Sequence, residues 1–289
     1  MKGFAEREWT SRDGLRHYAR DYAGASGEAR LPVVCLHGLT RNSKDFEDFA
    51  PIVAATGRRV LVPDVRGRGR SERDPQPKRY HPKVYARDVL ELLDAAGVSR
   101  AVFVGTSMGG IITMMIAALR RRAIAAAILN DVGPEVGKKG VDRILSYVGK
   151  AAPIESWADA VDYVRLIMGA AFPHNSEPDW ERLARRTFRE EDGRPVLDYD
   201  PAIMVPMSKG PPKTRSLLAD WLFRRMAKRS PTLLVRGELS DLMTDQIAAR
   251  MKRAVSSLKI AVVPRVGHAP MLTEPAAIEA IDDFLARVP

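Results

Sequence analysis

Five residues constrain the architecture of this chain more than any composition figure: Gly105-Thr106-Ser107-Met108-Gly109, spelled G-x-S-x-G. An apolar run, Val102-Phe103-Val104, leads into it, and a helix-like run, Ile111-Ile112-Thr113-Met114-Met115-Ile116, follows Gly110. A serine that attacks a carbonyl must stand clear of the backbone at the tip of a tight strand-to-helix turn. Such a turn is strained and leaves no room for side chains two residues to either side. The helix that follows turns free N–H groups and a positive dipole end toward the place where an oxyanion would form. Ser107 is therefore the candidate nucleophile. A glycine-rich connector holding a buried serine has the same spelling, and the strand-before, helix-after context argues against it. A phosphate loop fits Gly105 and Gly110 but fails at Ile111 and Ile112, where it needs Lys and Ser/Thr.

Around this turn, strand and helix alternate. Residues 5–22 read as two strands joined at Asp13-Gly14, a hairpin-type turn signal. Leu31-Pro32-Val33-Val34-Cys35-Leu36 suits a strand buried on both faces and ends in His37-Gly38-Leu39-Thr40. A turn at a strand end can aim a backbone N–H into a site, so the N–H groups of Leu39 and Met108 are assigned to an oxyanion hole. His37 braces the turn in this reading, with acid–base work as the rival. Residues 43–55 look helical. Arg59-Val60-Leu61-Val62-Pro63 is another buried strand, and the loop from Asp64 to Ser71 reads as a structural turn with Asp64 and Arg66 pairing locally, in preference to an anion cradle. A helix runs from Pro82 to Gly97, and Ala125 to Asp131 forms a further strand. The alternation argues for a parallel sheet covered on both faces.

It breaks at Gly133-Pro134. From 134 to 229 the text is helical and irregular, with short helices marked by Ile144, Leu145 and Val148; by Val161, Val164, Ile167 and Met168; by Trp180, Leu183, Ala184 and Phe188; and by Leu217, Leu218, Trp221 and Leu222. This stretch reads as an inserted helical cap over a core made of 1–133 and 230–289, with some of its Met and aromatic residues lining the site beneath. The alternation resumes at Thr232-Leu233-Leu234-Val235-Arg236-Gly237, passes Glu238-Leu239-Ser240-Asp241, and ends with the strand Ile260-Ala261-Val262-Val263, then Gly267-His268 and a closing helix.

The 289 residues, 45% of them hydrophobic, suffice for one large domain with an insertion. A formal charge of +10 invites a nucleic-acid or anionic-membrane reading, but the Arg clusters at 120–122, 185–186 and 224–225 are dispersed among helical patterns with acidic residues nearby. A solvated basic surface accounts for them. Cys35, the single cysteine, excludes an internal disulfide and any cysteine-based metal site, and its place in an apolar strand makes it buried filler. No metal cluster and no cofactor motif is visible. The first residues lack an apolar signal core and no apolar stretch reaches membrane-spanning length, so a soluble cytoplasmic protein is expected, with no nucleic acid or membrane as partner. A homodimer is compatible with the sequence, which does not fix the oligomeric state.

Ser107, Asp241 and His268 each lie just beyond a buried strand, the edge where open α/β sheets place their ligand sites. With His37-Gly38, the 64–71 loop, the G-x-S-x-G turn, Arg236 to Asp241 and Gly267-His268, the chain resembles the α/β-hydrolase superfamily over nearly its full length, in its capped serine-hydrolase branch. The resemblance implies a mostly parallel, eight-stranded sheet flanked by helices. It also implies that Ser107 attacks the substrate, that His268 takes its proton and later activates water, and that Asp241 holds the imidazole. Glu238 and Asp245 lie close to Asp241, and Asp131 occupies the position some members use for the acid.

Serine at the turn argues against the branches that use aspartate there, the haloalkane dehalogenases and epoxide hydrolases. The first expectation is hydrolysis of a small-molecule carboxylic ester or lactone. The second is C–C hydrolysis of ring-fission products, against which stand Leu39-Thr40-Arg41 in place of a glycine tract and Ala269 in place of an aromatic residue. The third is a ligand receptor with little turnover. Arg41 is a candidate for holding a substrate carboxylate.

Overall fold

Eight of the strands form one sheet with helices on both faces, and two more pair in a separate hairpin. The structure is a computed structural model and describes residues 3–25, 30–149, 154–207 and 214–289. The strands in chain order are β1 (Ala5–Thr10), β2 (Arg16–Tyr22), β3 (Val33–Leu36), β4 (Val60–Pro63), β5 (Ala101–Thr106), β6 (Ile124–Asn130), β7 (Phe188–Glu191), β8 (Arg194–Leu197), β9 (Thr232–Gly237) and β10 (Lys259–Val263). The large sheet runs β1-β2-β4-β3-β5-β6-β9-β10. The pairings β1–β2 and β2–β4 are antiparallel, and all others in this sheet are parallel.

The helices are α1 (Phe49–Ala55), α2 (Pro82–Ala95), α3 (Met108–Leu119), α4 (Lys138–Tyr147), α5 (Trp157–Met168), α6 (Glu177–Thr187), α7 (Leu217–Ala227), α8 (Asp245–Ala254) and α9 (Pro275–Leu285). Because side chains alternate along a strand, each central strand feeds two cores. Val33, Cys35, Val102, Val104, Ala126 and Ile128 pack with residues of α1 and α9. Val34, Leu36, Phe103, Ala127 and Leu129 pack with residues of α2, α3, α7 and α8 on the opposite face. This two-sided burial explains why these strands read as continuous apolar runs.

Three features differ from the sequence reading. Residues 43–55 divide into a short 3-10 turn, Ser43–Phe46, and the helix α1. Asp64 and Arg66 do not pair. The Asp64 carboxylate accepts from the backbone N–H groups of Ser43 and Arg70, and burial raises its pKa to about 6. Arg66 instead spreads its fork over Asp88, Asp74 and Asp13, a bidentate geometry on Asp88 that satisfies a fully buried guanidinium. Finally, α7 packs on α3 and contributes Leu222, Phe223 and Met226 to the core cluster beneath the sheet. It is one of the flanking helices, so packing ends the insertion before α7 and not at 229.

The insertion proper carries α4, α5, α6 and a hairpin of β7 and β8. Its residues 150–153, and 208–213 farther on, lie outside the described residues, as do Met1 and Lys2. Helices α5 and α6 each begin with a reciprocal capping box, Ser156 with Asp159 and Ser176 with Asp179, which satisfies two backbone donors at each start. Tyr163, Val164, Phe172, Trp180, Leu183 and Phe188 form a separate small core there. The cap is tied to the sheet by Gly267, whose N–H donates to Ala171 O at 2.7 Å, so cap and histidine loop are in direct contact.

Candidate active site

Ser107 follows β5 with φ 52° and ψ −113°, a left-handed conformation that costs energy for any L-residue but lifts the side chain off the sheet edge. Its neighbours explain why glycine flanks it. A Cβ on Gly105 would stand 2.5 Å from the carbonyl carbon of Gly109, and one on Gly109 would run into the carbonyl of Leu36 on β3. The turn thus closes because strand and helix approach backbone to backbone.

His268 lies in the loop after β10, where its Nε2 is 3.0 Å from Ser107 Oγ. Its Nδ1 is 2.7 Å from Asp131 Oδ2. With Nδ1–H donating to the carboxylate, Nε2 is left as the acceptor for the serine O–H, the tautomer a general base requires. Asp131 is fully buried directly after β6, with φ 56°. Three donors fix it: His268, the Gly237 N–H at 2.9 Å, and Ser240 Oγ at 2.5 Å. Ser240 in turn accepts from the backbone N–H groups of Leu242 and Met243. The preceding residue, Asn130, bridges the same region, donating from Nδ2 to Thr106 Oγ1 and to Pro270 O, which joins β5 and β6 to the histidine loop.

The acid on the imidazole is therefore Asp131 and not Asp241, which corrects the sequence expectation. Although Asp241 adjoins Ser240, its carboxylate is taken by Arg143 of α4, which donates from Nε at 2.7 Å and from Nη2 at 2.9 Å. Burial opposes ionisation of Asp241, but the bonds from Arg143 and its charge outweigh it and hold the carboxyl below its ordinary value. Glu238 and Asp245 are also engaged elsewhere, the first accepting from the Arg265 N–H and the second paired with Arg236.

The two assigned oxyanion donors lie beside the serine. Neither the Leu39 N–H nor the Met108 N–H has a hydrogen-bond acceptor among the described residues. His37 sets the direction of the first. Its Nδ1 is 2.8 Å from Gly38 O, and its Nε2 accepts the Val65 N–H at 3.0 Å. In a trans peptide the N–H points opposite to the C=O, so the ring holding Gly38 O turns the Leu39 N–H away from itself. Burial pushes the His37 pKa down to about 4, so the ring is neutral and can accept from Val65.

Ser107, Leu39 and Ile144 stand at the junction of two cavities. One, about 100 Å³, has a mixed wall in which Thr106, His268, Arg41, Arg143 and Tyr147 stand among apolar residues such as Phe46, Ile167 and Met168. The second, about 400 Å³, is apolar, with Met108, Met114, Val136, Val141 and Leu222 in its walls. Arg41 is in the wall of the smaller cavity, but its guanidinium is occupied by Asp45, at 2.5–3.0 Å, and by Thr187. Arg143 and Tyr147 were missed by the sequence reading. They sit one helical turn apart on α4, and the apolar spacing that revealed that helix carries no sign of which polar residues face inward. Among the described residues no group of three or more His, Cys, Asp or Glu is placed to hold a metal ion, and no helix is long and apolar enough to cross a membrane.

The family model for the alpha/beta hydrolase family matches residues 33–281, which hold six of the eight strands of the large sheet and the insertion. The chain belongs to this family. The hydrolase is 33% identical to a 3-hydroxybutyrate-oligomer hydrolase of Cupriavidus necator over 94% of its own length and 93% of that protein. It is 24% identical to a 2-(acetamidomethylene)succinate hydrolase of Mesorhizobium japonicum over 86% of each chain. Its structure superposes on the crystal structure of an alpha/beta hydrolase from Novosphingobium aromaticivorans with a TM-score of 0.91 and 42% identity, covering both chains completely.

Proposed function

We propose that this hydrolase cleaves carboxylic esters or lactones through an acyl-enzyme on Ser107. The observation that carries the reading is the continuous path from Ser107 Oγ through the His268 ring to Asp131 Oδ2, at 3.0 and 2.7 Å. Ser107 Oγ attacks the carbonyl carbon as its proton passes to His268 Nε2. The Leu39 and Met108 N–H groups hold the resulting oxyanion, and Asp131 stabilises the imidazolium. The imidazolium then gives its proton to the departing alkoxide. Water attacks the acyl-enzyme with His268 as base, releasing the acid and restoring the serine.

The relative that acts on 3-hydroxybutyrate oligomers supports an ester of this kind, and short oligoesters of hydroxy acids are the first substrates to try. The apolar cavity suits an alkyl segment on one side of the scissile bond. A second reading is hydrolysis of a bond other than an ester, C–C cleavage included, and the 2-(acetamidomethylene)succinate hydrolase among the relatives favours keeping it. A fluorophosphonate probe tests the serine first: labelling of the wild type that vanishes in Ser107→Ala supports the acyl-enzyme, and a wild type that fails to label points to a receptor. A panel of p-nitrophenyl esters, lactones, hydroxy-acid oligoesters and dienoic ring-fission products then separates the reactions, and rapid turnover of the dienoic compounds alone would overturn the ester reading.

A further inference from the structure

The wall of the smaller cavity includes an arginine that the acyl-enzyme chemistry does not use, Arg143. Arg143 has five N–H donors, and Asp241 takes one from Nε and one from Nη2, along a single edge of the planar fork. Asp241 is not part of the cavity wall, whereas Arg143 is, together with Ser107 and His268. The carboxylate thus holds one edge of the guanidinium from outside the wall, while Arg143 itself, with Tyr147 as its polar partner on the next turn of α4, belongs to the cavity lining. A bidentate Arg–Asp pair fixes the plane of the fork, so no side-chain freedom has to be lost when a ligand arrives. The other guanidinium in the wall, Arg41, has its edge taken by Asp45 and its Nη1 by Thr187.

We propose that this chamber reads a substrate carboxylate: Arg143, positioned by Asp241, binds the free acid of an ester whose short acidic end lies in the smaller cavity while its apolar segment fills the larger one. The proposal rests on the ester reading above and narrows it to anionic esters. Planar guanidinium meeting planar carboxylate is the recognition that a neutral ester of the same shape cannot satisfy. Ser107 stands at the junction, so the two substituents of a bound carbonyl would enter different chambers, of which only the smaller has guanidinium groups in its wall. Asp241 is a positioning residue here, acting through Arg143.

The test compares hexyl hemisuccinate with hexyl succinamate, which replaces the free carboxylate by an amide of nearly equal size. The wild type is expected to favour the acid at least tenfold in kcat/KM. Arg143→Gln should cut that preference at least tenfold, chiefly through KM for the acid, and Arg143→Lys should restore part of it. Asp241→Asn should lower the preference by a smaller factor, since the fork stays but loses its anchor. A wild type with no preference for the acid, or an Arg143→Gln variant in which both substrates fall by the same factor, would overturn the proposal. Failure of the ester reading shows separately, as absence of turnover with either compound. In that event titration calorimetry on Ser107→Ala decides: tighter binding of the hemisuccinate that is lost in Ser107→Ala/Arg143→Gln supports the carboxylate subsite, and equal affinity for acid and amide refutes it.

Discussion

Asp131 and His268, 137 residues apart in the chain, meet at 2.7 Å between Oδ2 and Nδ1, and no other carboxylate among the described residues is hydrogen-bonded to the ring. Replacing the acid while keeping its shape should leave the imidazole with the wrong tautomer. Asp131→Asn is therefore expected to lower kcat on the order of 10,000-fold on a p-nitrophenyl ester. Asp241→Asn should cost about tenfold or less on the same neutral ester. The measurement is steady-state hydrolysis with the rate of fluorophosphonate labelling as a second readout. The reverse ranking would return the acid's role to Asp241.

Asp131 and Asp241 also show where the sequence stops being informative. Both follow buried strands, and β6 and β9 are neighbours in the sheet, so an acid beyond either strand end is within reach of one imidazole. The choice is made by the backbone turn at Asp131, by its donors Gly237 and Ser240, and by the Arg143 that diverts Asp241. Those are tertiary facts. Ser107 and His268 were legible because strand ends, glycines and chain order locate them locally. The β7–β8 hairpin had a local signal that went unread: Asp192-Gly193, both with positive φ, is a hairpin turn spelling. Its first strand, Phe188-Arg189-Glu190-Glu191, lacks the apolar alternation that would have flagged it.

His37 should make folding stability depend on pH. Its ring is held neutral by burial, with a pKa near 4 in the folded state against about 6.5 in an unfolded chain. Between those values the unfolded chain binds a proton that the folded one does not, so acidification favours unfolding. This site's contribution is fully present above pH 6.5 and is lost at about 1.4 kcal/mol per pH unit as pH falls toward 4. His37→Gln, which has no titrating ring, is expected to be less stable at pH 7, and its deficit should narrow at pH 5. Denaturant melts of both proteins at the two pH values check this, and a deficit that stays constant would show that His37 does not carry the effect.

Gly109 admits no side chain, since a Cβ there meets the Leu36 carbonyl and side chain. Gly109→Ala is expected to destabilise the fold by about 1–3 kcal/mol, the usual cost of overpacking, and to displace Ser107. Thermal melts report the first effect and fluorophosphonate labelling the second. An unchanged melting temperature would mean that strand and helix separate more freely than their backbone contact suggests.

Val141, on α4, lines the larger cavity and is nearly buried. Val141→Phe should shorten that chamber. Turnover of p-nitrophenyl octanoate is expected to fall about tenfold or more relative to the acetate, equivalent to roughly 1.4 kcal/mol of lost binding in the transition state. Parallel loss on both esters would indicate that the alkyl chain lies elsewhere.

Because the imidazole draws its carboxylate from the end of β6, the acid that follows β9 is released from proton transfer and tethers an insertion helix instead. Reactivity and admission are thereby entrusted to different carboxylates on adjacent strands. An evolving lineage can exchange the helix that greets the incoming molecule, and with it the diet of the enzyme, while the bond-breaking apparatus beneath is inherited intact.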